Sequence, residues 1–150
     1  MANRTFTLSQ ARELLPVVES LLRGIQEKKR RVEEIDQKFQ EVNSRILLHG
    51  GLLLDIAPFA QLRAERERLA EGIKDAVSEI GAMGVQIKDL DTGLLDFPCM
   101  VDGEVILLCW KMGEETITHW HNTKEGFAGR KAIDARIANA GRRGRGRSIH

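Results

Sequence analysis

Apolar side chains recur through the first half of the chain at Leu14, Val18, Leu21, Ile25, Val32, Ile35, Phe39, Val42 and Ile46, with Lys28 in the same series. The spacings alternate four and three, which is the 3.5-residue period of a coiled-coil-like seam. Thr7 and Gln10 form a T-x-x-Q capping box, so the helix is expected to begin at Leu8. Pro16 falls inside it and removes one backbone donor, and Gly50-Gly51 is the expected stop. A second seam follows at Phe59, Leu62, Arg66, Leu69, Ile73, Ala76, Ile80 and Met83. Pro58 suits its first turn and Gly84 its C-terminal cap. The link between them, about His49 to Ala57, is short, so the two helices fold back as an antiparallel hairpin. At 1.5 Å per residue the first helix is about 60 Å long and the second about 38 Å. The start of the first helix therefore lacks a hairpin partner, and its apolar residues need either the rest of the chain or a second copy to cover them.

After Gly84 the period changes. Val85–Leu90, Leu95–Val101, Glu104–Met112 and Thr116–His121 read as short strands. Asp91-Thr92-Gly93, Asp102-Gly103 and Gly113-Glu114 read as turns, Asp102-Gly103 being the strongest hairpin signal. Pro98 predicts that its strand is an edge or irregular. Residues 126–130 read as a loop and 133–140 as two helical turns. The fold class is α+β: a long antiparallel helical hairpin over 8–83, then a small antiparallel sheet of three to four strands over 85–130. Together they make one domain spanning 1–130, followed by a Gly/Arg tail over 131–150 that is expected to be largely disordered.

Charge sharpens that boundary. The net charge is +1, yet residues 130–150 hold seven Lys/Arg against the single acid Asp134, while the remaining 129 residues hold 16 basic and 21 acidic side chains. Cys99 and Cys109 are too few for a disulfide framework and are not a CxxC pair. The N-terminus shows no apolar signal segment, and the longest strictly apolar run is far short of a membrane span. A cytoplasmic protein with free thiols and no membrane contact is the expectation.

Candidate chemistry lies in the second half. His119 and His121 are two apart on an expected strand and share a face, with Cys109 on the strand before. Imidazole and thiolate, with carboxylates from Asp89, Asp96 or Glu114, are the donors of a transition-metal site such as zinc. The plain alternative is a buried Cys109 acting as a small hydrophobe. Trp110, Trp120 and Phe127 are candidate walls of a ligand pocket, with Asp96, Glu114, His121 and Arg130 supplying charge. Arg130 suits an anion, and Cys109 with His121 suits a nucleophile and base. The structural alternative has both tryptophans packing the sheet and Arg130 pinned to Asp96 or Glu114. Arg142, Arg143, Arg145 and Arg147 in the tail suit weak, salt-sensitive contact with nucleic acid. Lys28 and Arg66 interrupt the seams, where a polar residue sets register or oligomer state.

These residues also carry a resemblance. Phe6-Thr7-Leu8 with Leu14-Leu15-Pro16, Gly84-Val85, Lys88-Asp89, and Gly93-Leu94 with Asp96-Phe97-Pro98 form its first part. Leu108-Cys109-Trp110, Gly113-Glu114, Trp120-His121 and Gly126-Phe127-x-Gly129-Arg130 complete it. Over positions 6–130 the chain resembles the bacterial domain of unknown function 2203 family. The resemblance implies the same fold and a boundary near Arg130, and it implies no activity. His119 lies outside the family pattern.

The sequence thus points first to a non-enzymatic interaction or structural protein, expected as a homodimer. The alternatives are a metal- or small-anion-binding enzyme built on Asp96, Cys109, Glu114, His121 and Arg130, and a weak nucleic-acid binder acting through the tail. The residues leave open whether there is a catalytic role.

Overall fold

The computed structural model describes residues 4–49 and 57–140. Two helices, α1 (Leu8–His49) and α2 (Ala57–Ala82), precede five strands. These are β1 (Gln86–Asp89), β2 (Leu94–Val101), β3 (Glu104–Lys111), β4 (His119–Asn122) and β5 (Lys131–Ala132). The expected Gly50-Gly51 stop, most of the interhelical link and the tail beyond Ala140 lie outside the described residues. The chain divides into two compact units, one of 1–22 with 78–150 and one of 23–77.

In the first unit, α1 begins where its capping box places it. The Thr7 amide donates to Gln10 Oε1 at 3.0 Å, and the Gln10 amide donates to Thr7 Oγ1 at 3.1 Å. Just before it, the Phe6 ring meets Phe97 edge-on at 5.6 Å. Arg12 donates twice to the carbonyl of Ile117, at 2.8 and 3.1 Å. Leu8, Ala11, Leu15, Val18 and Leu22 are all buried. Much of the start of α1 is thus covered from within the chain, with Leu14 and Leu21 half-buried.

The strands form one antiparallel meander in the order β1-β2-β3-β4-β5. Five strands replace the expected three to four. The fifth is two residues long and opens the 131–150 stretch that is expected to be largely disordered; it is held by pairing with β4. Asp102 and Gly103 turn β2 into β3 with φ of 51° and 80°, the left-handed pair of a type I′ hairpin. Gly84, at φ 95°, closes α2 as its left-handed cap, with the Val85 amide donating to the Ile80 carbonyl.

Two strand expectations change. The strand carrying Pro98 is not an edge: β2 lies between β1 and β3. β1 pairs with it only as far as Asp96, and beyond that point the Phe6 amide donates to the Pro98 carbonyl at 2.7 Å. Proline is tolerated because its missing donor falls where the neighbouring strand has ended. Residues 116–118 are not in β4. The Ile117 carbonyl is committed to Arg12 and the Thr118 carbonyl to the Ile133 amide, so neither enters the β3 ladder.

β2 and β3 are buried on both faces at their centres. One face carries Leu95, Phe97, Leu108 and Trp110, the other Asp96, Pro98, Leu107 and Cys109.

In the second unit the helices run antiparallel. Arg31 holds Glu65 with two bonds, at 2.7 and 2.9 Å, and Arg66 holds Asp36 likewise, at 2.6 and 3.2 Å. Phe39 and Phe59 meet at 6.4 Å. Lys28 lays its stem beside Gly72, where an added Cβ would stand 3.0 Å from Lys28 Cε. Of this unit's residues, Ile25 and Ile35 complete the buried core. No helix among the described residues is long and apolar enough to cross a membrane.

Candidate metal centre

Strand register assembles the site. Asp96 on β2 lies directly opposite Cys109 on β3, and His121 on β4 lies opposite Leu107. Opposed residues share a face, and so do residues two apart. Asp96, Cys109 and His121 therefore converge, each with one possible ligand atom within 4.8 Å of the others. All three are buried, at 1%, 0% and 2% exposure.

Hydrogen bonds orient the ring. His121 Nδ1 lies 2.8 Å from the carbonyl oxygen of Asn122, and Nε2 lies 3.1 Å from Asp96 Oδ1. A carbonyl only accepts, so Nδ1 carries a hydrogen. Nε2 is thereby aimed at the Asp96 carboxyl. Asp96 Oδ2 has no hydrogen-bond partner despite its burial. Burial first, and then the charge of Asp96, push the Cys109 thiol up to about 12. Burial alone pushes Cys99 up to about 11. Both are free thiols, and Cys99 points to the opposite face, away from the cluster.

The other candidates go elsewhere. His119 shares the face but not the cluster: its Nδ1 pairs with Thr118 Oγ1 at 2.9 Å, 4.0 Å from Glu114 Oε2. Asp89 closes the turn after β1, accepting the Asp91 amide at 3.0 Å. Arg130 spends one nitrogen on both oxygens of Glu114, at 2.7 and 2.9 Å, and on the Cys109 carbonyl. It pins the last loop, as the structural alternative has it, with Glu114 as the partner. The three aromatics do not wall one pocket. Trp110 is core, its indole donating to the Glu114 carbonyl at 3.0 Å. Trp120 carries Lys131 and Arg136, and Phe127 carries Lys111 and Arg130. The Asn122 carbonyl, which fixes the His121 tautomer, is backbone and leaves no trace in side-chain chemistry.

A helical hairpin joined to a five-stranded meander, with a buried Asp/Cys/His triad spanning three strands, defines a small α+β protein with a candidate metal centre. The chain belongs to a family described as an uncharacterized conserved protein (DUF2203), whose model matches residues 4–133. No curated protein and no solved structure matches the chain.

Proposed function

We propose that this protein binds one transition metal ion, with zinc the best chemical match, through Asp96, Cys109 and His121. The convergence of three different ligand types inside 4.8 Å in the sheet interior carries the reading. Thiolate, imidazole and carboxylate are the donors zinc takes, and its bonds of about 2.0–2.3 Å fit a cluster this tight. His121 is also prepared as ligands are: its Nδ1 hydrogen is held by a backbone carbonyl, so Nε2 faces the other two donors. Oδ2 of Asp96, buried and unpartnered, is a donor a cation would satisfy. Burial of all three favours an ion that ties β2, β3 and β4 together over one that meets a substrate. That burial is what supports a non-enzymatic structural or interaction role in this reading.

A second reading is a metal-free polar pair, favoured by the direct His121–Asp96 bond of 3.1 Å. Metal content of the untagged protein separates the two, measured beside His121→Ala and Cys109→Ala. Circular dichroism checks that each variant is folded. About one equivalent in the wild type, lost in both variants, supports the metal. Cobalt(II) added to the apoprotein should then give a thiolate charge-transfer band that Cys109→Ala lacks. A folded wild type with neither metal nor that band leaves the polar pair.

A further inference from the structure

The hairpin unit carries a groove of its own, independent of the triad and of the metal reading. It has a volume of about 360 Å³ and lies between Phe39, Val42 and Asn43 of α1 and the stretch of α2 from Phe59 to Glu67. Phe39 and Phe59 meet there and are only half-buried. On the α2 side Ala60, Arg63, Ala64 and Glu67 are all exposed. They stand three or four residues apart, so they share one helix face. Ala70, also exposed, continues it. The alanines allow a second helix to approach closely. Charge singles out this face. Glu65 is held by Arg31 and Arg66 by Asp36. Among the described residues, Arg63 and Glu67 have no ion-pair partner. They are one turn apart, but base before acid is the weaker order for a pair along a helix.

We infer that a second copy of the chain docks on this face, α2 against α2, antiparallel about a two-fold axis beside Glu65. Contacts across a two-fold axis are reciprocal. Arg63 then faces the partner's Glu67, Glu67 faces the partner's Arg63, and Ala60 faces the partner's Ala70. The charge pattern decides both occupant and register. A basic or an acidic partner would satisfy one of the two charges and be repelled by the other, whereas a copy of the same face satisfies both. A slip of one turn sets Arg63 against the partner's Arg63 in one direction and Glu67 against the partner's Glu67 in the other. A parallel pairing in register does both. The matched stretch from Ala60 to Ala70 is about 15 Å long. An interface this small is weak, with a dissociation constant on the order of 10–100 µM.

The test is sedimentation velocity on the full chain, from about 5 to 500 µM so as to bracket that range. The wild type should dimerise, and less so as salt rises. Arg63→Glu and Glu67→Arg each set like charges opposite one another twice in a homodimer. Either alone should raise the dissociation constant at least about tenfold. Mixed in equal amounts, the two variants set opposite charges at both contacts and should recover the wild-type association. Both positions are exposed, and circular dichroism confirms that each variant is folded. A wild type that stays monomeric throughout overturns the inference and leaves the groove to another protein. Single variants that associate as tightly as the wild type also overturn it, since the contact then lies elsewhere. So does a mixture no tighter than its components, which rejects the register.

Discussion

The two units are held together by different physics. The sheet unit buries side chains on both faces of β2 and β3, and its largest residue, Trp110, is wholly enclosed. The hairpin unit encloses only Ile25 and Ile35 among its described residues, while Phe39 and Phe59 are half-buried. It carries instead two Arg–carboxylate forks of opposite polarity, Arg31 with Glu65 and Asp36 with Arg66. Swapping the sign between successive pairs penalises a slipped or parallel arrangement, because like charges would then face each other. The sheet unit is where a buried polar cluster can be held in one geometry. The hairpin is a long surface whose specificity is electrostatic.

Truncating one aromatic in each unit should expose the contrast most strongly. Trp110→Ala removes an enclosed ring and leaves the Glu114 carbonyl without its indole donor, so urea unfolding should show a loss of about 3–5 kcal/mol. Phe59→Ala removes a half-buried ring and should cost about 1–2 kcal/mol. Equal losses would mean the hairpin seam is packed as tightly as the sheet.

Alkali should separate the units next. Burial raises the Cys99 thiol from 9.0 to about 11, so the fold favours the protonated form. Its contribution is complete below pH 9 and is lost as pH rises through about 11. Against Cys99→Ala, the wild type should lose roughly 2 kcal/mol more across that interval, the linkage value for a shift of this order. A difference that stays flat with pH would mean the thiol ionises in the folded state as easily as in the unfolded one.

A smaller effect probes the hairpin interior. Gly72 lies within α2, and alanine there should gain about 0.5–1 kcal/mol from helix propensity. The obstacle is Lys28 Cε, 3.0 Å from the added Cβ. That atom is near the free end of a flexible stem and can move. A rise in melting temperature would show the stem is replaceable. A fall would show that Lys28 is packed as tightly as an apolar seam residue.

The same contrast explains what the sequence made legible. Local, periodic features come through: the seam, the Thr7/Gln10 box, the Gly84 cap and the Asp102-Gly103 turn are each set by a few adjacent residues. The members of the cluster were also readable as residue types. Their assembly was not, because it depends on the β2–β3 register that sets Asp96 against Cys109, and a slip of one residue would turn them to opposite faces. The spacing of His119 and His121 fixes a shared face and not a shared partner; Thr118 and Glu114 draw His119 elsewhere. Pro98 suggests an edge because a proline in the chain does not show how far its neighbouring strand extends. Lys131–Ala132 is too short to leave any alternation at all.

The smallest expected effect tests whether the forks act as register locks or as stability. Hydrogen bonding to Arg31 holds Glu65 below the usual carboxylate range, and hydrogen bonding to Arg66 does the same for Asp36. Depressed carboxylates contribute stability above their unfolded values and lose it as pH falls through the folded ones. Glu65→Gln and Asp36→Asn should therefore melt slightly lower than wild type at neutral pH and low salt, with the gap closing in acid and in high salt. All four side chains are substantially exposed, so the gap itself should be modest. The sharper readout is the charge-swapped pair Arg31→Glu/Glu65→Arg. It restores the local attraction but gives both forks the same polarity. If the forks serve register, the swap should bring back the melting temperature while adding a slipped species, seen as doubled amide signals in the hairpin. One set of signals with full recovery would reduce the forks to ordinary surface pairs.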